Sequence, residues 1–273
     1  MSKVISIISE HLNEKRLSMI GFGILMGIFG YAITLIVDVI DLSQIEELLS
    51  TLPELQELLD LFGDLTSPYA LLNVEVFAFF WIFLGFFFVY VTSSSVLPGE
   101  VEDKTIDLIL SKPISRSSYL MSKVAFLYIF IIIVQAIIFG LIGLGMSTSQ
   151  SFIDFGLYWD RLLAVYIVNI AHSGTIVMTA LLFATITLSS KRTMAAALAV
   201  MFVMFFLGTF WGFFPEEYQV IKYISTWFYL NTQALFVQGV FDNLLRDILV
   251  LIAVNVSLIV SSLLIFRRRD IPV

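Results

Sequence analysis

Side chains able to do covalent chemistry are scarce in this 273-residue chain. Cysteine is absent, which excludes disulfides and thiol chemistry. The histidines are His11 and His172, and no H-E-x-x-H pair offers a zinc site. His172 is followed by Ser173, but adjacent helical residues point about 100° apart, which does not make a base and its nucleophile. There is no G-x-S-x-G elbow and no G-x-x-x-x-G-K-[ST] loop. The chain is therefore not expected to be an enzyme, and no metal or cofactor of its own is expected.

Charged groups gather instead in residues 93–123, SSSVLPGEVEDKTIDLILSKPISRSSYLMSK. Glu100, Glu102, Asp103 and Asp107 lie among Lys104, Lys112, Arg116 and Lys123, beside an apolar cluster of Ile106, Leu108, Ile109 and Leu110. Pro98-Gly99 predicts a turn. Pro113 ends any helix before it, because the residue preceding proline resists the α region. Ser115 can cap the next helix. A short helix is predicted over about 101–110, with Ile106, Ile109 and Leu110 on one side. Such a face either docks in a groove of a soluble partner or rests on the chain's own helix ends.

A second set of polar groups is embedded in apolar sequence. Asn169 and His172 are spaced i, i+3, Thr175 and Thr179 continue roughly that side, and Gln135 and Asn255 lie in other runs. Polar groups at bilayer depth face the bundle interior. Asn169 and His172 either touch a translocation path or take part in interhelical hydrogen bonds. Gly23-x-x-x-Gly27 and Gly208-x-x-x-Gly212 allow close helix approach, within the subunit or at a dimer seam.

The elements that carry these residues are membrane helices. Apolar residues make up 59% of the chain and charged ones 14%, outside the range of a soluble domain. Six continuous runs reach the roughly 20 residues needed to cross a bilayer: 17–37, 69–92, 124–145, 162–188, 194–214 and 247–266. Their continuity excludes barrel strands, which alternate. The fold class is an all-α membrane protein with six transmembrane helices in one domain. The segment 4–12 predicts an amphipathic interfacial helix that turns into the first span. The loop 38–68 carries two capping boxes, Ser43 to Glu46 and Thr51 to Glu54, and predicts two amphipathic outer helices. Its acids are their solvated face or attract cations. The segment 215–243 predicts one or two short interfacial or re-entrant helices, with Tyr218, Tyr223, Trp227 and Tyr229 at the interface.

The basic residues set orientation. Twelve lie on one side (Lys3, Lys15, Arg16, Lys104, Lys112, Arg116, Lys123, Lys191, Arg192, Arg267, Arg268, Arg269) and three on the other (Arg161, Lys222, Arg246). Both termini and the loop 93–123 are therefore expected in the cytoplasm, with the protein in the plasma membrane. The net charge of −7 is mostly local, since eight acids fall in residues 38–64 without any Lys or Arg. No nucleic-acid partner is expected.

The stretch from Glu100 to Lys123 resembles the cytoplasmic loop of type-2 ABC exporter permeases. The resemblance is carried by Glu100, Thr105, Leu110, Ser111, Pro113, Ser115, Arg116 and Lys123. The junction 189–197, SSKRTMAAA, is similar to that family's second inner loop, and the layout of spans agrees along nearly the whole chain. The sequence departs at Lys104, where the family usually has Gly, so a more helical turn is expected before Thr105. The resemblance implies a permease subunit of an ATP-driven exporter. It implies a coupling helix at Ile106, Asp107, Leu108, Ile109 and Leu110, and an acidic joint at Glu100, with Thr105 and Arg116 alongside. The implied partners are two ABC ATPase subunits, which hold the ATP and Mg²⁺, and a second permease subunit, identical or related. The competing readings are a stand-alone secondary transporter or channel, disfavoured by the missing inverted repeats, and a membrane anchor for a cytoplasmic complex.

Overall fold

A computed structural model describes residues 2–40, 67–106 and 114–269. The expected outer helices at Ser43 to Glu46 and Thr51 to Glu54 lie outside the described residues, as do Asp107, Leu108, Ile109 and Leu110. Among the described residues there is no strand, and six helices are long and apolar enough to cross a membrane.

Helix α1 (Ser2–Ile36) runs without interruption. Segment 4–12 is helical as expected, but no turn divides it from the span, because no proline or other breaker falls between them. At 35 residues the helix is about 52 Å long, against a bilayer core of about 30 Å, so α1 extends well past the hydrocarbon core. The second crossing is composite. Helix α2 (Pro68–Leu72), capped by Ser67, leads into a π-helical segment (Asn73–Phe80) and then α3 (Trp81–Ser95). A short α4 (Leu97–Glu102) follows. Then come α5 (Arg116–Thr148), α6 (Gln150–Phe155), α7 (Trp159–Thr187), α8 (Ser190–Thr209) and α9 (Leu244–Arg268). Between α8 and α9 lie two 3₁₀ segments (Trp211–Phe213, Glu216–Ile224) and a second π-helix (Gln233–Gln238).

Helices α1 and α5 pack in parallel. Glycines make this possible, since a Cβ at Gly23 would lie 3.2 Å from Ile137 Cβ and one at Gly27 would lie 2.5 Å from Leu141 Cδ1. Gly23-x-x-x-Gly27 is thus used within the subunit. Gly208 is too, packed under Ser225, Trp227 and Phe228. Trp227 was expected at an interface but is 7% exposed, held between His172 and Phe205 by edge-on ring contacts.

Candidate functional site

The loop expected to meet a partner is anchored by a buried ionic cluster. Glu100, in the first turn of α4, pairs with Lys123 of α5, which is fully buried. The Tyr119 hydroxyl donates to the second oxygen of Glu100. Tyr119 and Lys123 are four residues apart and share one face of α5. His11 of α1 completes the group. Its Nδ1 lies 2.9 Å from the Ile7 carbonyl, which can only accept, so Nδ1 carries a proton. Nε2 then accepts from Lys123 while lying 3.3 Å from Glu100 Oε1. One ammonium thereby joins α1, α4 and α5. Of this cluster, Glu100 and Lys123 stood out in the sequence and Tyr119 and His11 did not. The i, i+4 spacing of Tyr119 and Lys123 was the available signal. For His11, 112 positions from its partner, there was none.

The helix expected over 101–110 is broken. Helix α4 stops at Glu102, and Lys104 takes φ +57°, in the left-handed region. The Lys104 amide donates to the Val101 carbonyl at 3.2 Å and the Thr105 amide to the Glu100 carbonyl at 2.9 Å. This is a Schellman end, whose left-handed position favours glycine. The turn is therefore not more helical than with Gly, because lysine adopts the glycine conformation. Thr105 is exposed, while Ile106 is helical again and only 2% exposed. Ile106 belongs to the chain's own core and anchors the segment rather than offering itself to a partner.

Two further bonds tie this loop to the rest of the same end. Glu102 accepts from the Ser190 amide at 2.8 Å, capping the start of α8. Arg116 donates to the Arg269 carbonyl at 2.5 Å, at the end of α9. Ser115 caps α5 as expected, accepting from the Ser118 amide at 3.1 Å. A family model described as ABC-2 family transporter protein matches residues 14–271. The chain belongs to that family. A comparison with curated proteins returned no match. Membership makes it a multi-pass membrane subunit of an ABC transporter, a class of subunit that works with ATPase subunits.

Within the ABC-2 bundle, the embedded polar residues mostly bond across helices. Gln135 donates to the Asn169 carbonyl (3.2 Å) and to Ser173 Oγ (2.6 Å), joining α5 to α7. Asn255 accepts from Tyr128 (2.9 Å) and donates to the Ala171 carbonyl (2.9 Å), joining α9 to α5 and α7. Asn169 and His172 are both fully buried and do not touch the cavities described next. The Asn169 amide donates to Val165 within its own helix, and the His172 ring stands edge-on to Trp227 at 4.5 Å.

A cavity of about 320 Å³ opens between α7, α8 and α9, with Thr175, Thr179, Met201, Met204 and Trp227 in its walls. A second, of about 310 Å³, is lined by Asn73, Trp211, Trp227, Asn231 and Gln233. A third, of about 550 Å³, lies at the ionic cluster, where Glu10, Glu14 and Asp103 line it beside His11 and Glu100. At the far end of α1, Asp38 accepts from Ser149 Oγ (2.6 Å) and from the amides of Ser151 (2.8 Å) and Gln150 (3.2 Å). The loss of some hydration alone would raise the pKa of this exposed carboxyl, but these hydrogen bonds outweigh it and hold it below the usual range.

Proposed function

We propose that the chain is the permease subunit of an ATP-driven exporter, coupled through residues 93–123 to a separate ATPase subunit that binds ATP and Mg²⁺. The observation that carries this reading is the set of anchors on that loop. Glu100 joins it to α1 and α5, Ile106 to the core, Glu102 to α8 and Arg116 to α9. A push on the segment after Thr105 is thereby shared among four long helices, which is what a coupling element requires. Asp107, Leu108, Ile109 and Leu110 are the proposed contacts with the ATPase. In the assembly, two ATPase subunits serve two permeases, identical or related. The excess of Lys and Arg at this end supports a cytoplasmic location for it and for both termini, with the protein in the plasma membrane. Substrate leaves the cell when ATP binding closes the ATPase pair.

The test is recruitment and coupling. The chain is expressed with its ATPase, and the double variant Ile109→Asp, Leu110→Asp is compared with wild type. Loss of ATPase co-purification, or ATP hydrolysis no longer linked to transport, is expected. Unchanged recruitment together with unchanged coupling would overturn the proposal. Transport in liposomes without ATP would favour the secondary-transporter reading instead.

A further inference from the structure

The first two cavities are neighbours with different chemistry. They border successive turns of α8, with Met201 and Met204 in the first and Gly208 and Thr209 in the second, and Trp227 lines both. The first is apolar. Its Thr175 and Thr179 hydroxyls are spent on helix carbonyls, at 2.7 Å each. The second is aromatic and amide-rich. Asn73 opens one π-helix and Gln233 opens the other, and the Asn73 amide nitrogen donates to Gln233 Oε1 at 3.2 Å. Asn73 Oδ1 is buried and has no hydrogen-bond partner. An acceptor left unpaired at such a site is costly until a donor reaches it. Irregular helix in a membrane protein is likewise tolerated where it lines a cavity. Among the described residues, no ionisable side chain lines either cavity.

We propose that the two cavities sharing Trp227 form one site for a neutral amphiphile. Its apolar part lies among α7, α8 and α9, and its hydroxyl or amide head meets Asn73, whose unpaired Oδ1 is shielded from solvent and turns toward the cavity to accept the bond. Trp227 borders both parts and is braced by His172. A charged head is disfavoured because no ionisable side chain among the described residues lines the cavities, and the Lys222 ammonium beside the second one is engaged with the ring face of Trp211 rather than lining the site. The site names a ligand class for the permease proposed above, and it rests on that reading only for the transport that follows binding.

The experiment uses the purified full chain in lipid nanodiscs, without ATP or ATPase. Three probes share one diazirine-bearing alkyl chain and differ in their heads: a monoacylglycerol, the corresponding fatty acid and the corresponding trimethylammonium. Labelled residues are mapped by peptide mass spectrometry. The monoacylglycerol is expected to label Met201, Met204 or Trp227, and excess unlabelled monoacylglycerol should compete. Asn73→Leu should weaken that labelling about tenfold, the value of one buried hydrogen bond. Val200→Phe, which fills the apolar cavity and leaves the Asn73–Gln233 bond intact, should abolish it. If Asn73→Leu does not fold, Val200→Phe decides alone. Equal labelling by the charged probes, labelling only on lipid-facing residues, or labelling unaffected by the variants that fold would overturn the site. Those results leave ATPase recruitment untouched, whereas failed recruitment with intact labelling would sink the permease coupling and spare the site.

Discussion

Helices α1 and α5 are fastened to each other at both ends, and the two fastenings are chemically unlike. At one end a fully buried lysine is shared by His11 and Glu100. At the other, the exposed Asp38 carboxylate collects Ser149 and two amides of the following turn. The first seals its ammonium from water, although Glu100 and His11 also border the cavity lined by Glu10, Glu14 and Asp103, so it is costly when broken because a buried lysine is stranded. The second is hydrated, so losing it costs little and solution pH reaches it. The dry fastening lies where the loop proposed to receive work enters the bundle. A lever must be stiff at its point of attachment. The opposite end, with its two π-helices and the cavity lined by Asn73 and Gln233, has room to rearrange around a ligand.

The sharpest way to break this contrast is to remove one partner of the buried pair. Glu100→Ala, or Lys123→Met, should each destabilise the subunit by about 3–5 kcal/mol, because the other charge is left buried without its counter-ion. The double variant Glu100→Ala, Lys123→Met should be much less damaging than the sum of its parts. Thermal unfolding in detergent or nanodiscs reads both. Single variants that melt like wild type would mean that the pair is hydrated, and the contrast would vanish.

The seam between the fastenings comes next. A Cβ at Gly30 would lie 2.6 Å from Ile142 Cγ1, whereas at Gly21 nothing lies within 4 Å. Gly30→Ala should therefore cost about 1–3 kcal/mol by overpacking. Gly21→Ala should be neutral or stabilising by up to about 1 kcal/mol, because alanine is the better helix former. Equal effects at the two positions would show that α1 and α5 do not depend on close approach.

What was legible in the sequence follows from the range of each interaction. Membrane runs, the Ser115 cap and the charged segment 93–123 are local patterns, readable within a few residues. Gln135 and Asn255 had to find partners inside an apolar bundle, so interhelical bonding could be anticipated although the partners could not. The Glu100–Lys123–His11 cluster is long-range, and no local pattern selects His11. The face of the 101–110 segment was ambiguous for a physical reason. An amphipathic stripe says that something covers it, not whether the cover is self or partner, and Ile106 proved to be covered by self. The first π-helix was hidden because its sequence is as apolar as the α-helix that follows it, whereas the second falls in the 215–243 segment, where short irregular helices were expected.

A smaller effect is expected at the turn that separates the dry fastening from the proposed contact surface. Lys104 holds a conformation that costs an L-residue about 1–2 kcal/mol and glycine almost nothing. Lys104→Gly should stabilise the end of α4 by up to about 1 kcal/mol, offset in part by the greater freedom of the unfolded glycine. Lys104→Val should do the reverse, since a β-branched residue tolerates positive φ poorly. Slower hydrogen exchange of the Thr105 amide in the glycine variant, and faster exchange in the valine variant, would register the change. Identical exchange in both would mean that the left-handed turn is not held in solution.

The smallest effect concerns the wet fastening, and its sign follows from the direction of the Asp38 shift. The folded carboxyl titrates below its unfolded value, near 3.9, because Ser149, Ser151 and Gln150 favour the ionised form. Its contribution is therefore complete above about pH 4 and fades as pH falls through the lower folded value. Protection of the Gln150 and Ser151 amides from exchange should drop over that acid range in wild type. In Asp38→Asn the drop should disappear, since no proton is taken up. Protection at the Thr105 amide, beside the buried cluster, should not follow Asp38's titration. If both ends lost protection together, α1 and α5 would be releasing as one unit, and the independence of the two fastenings would be refuted.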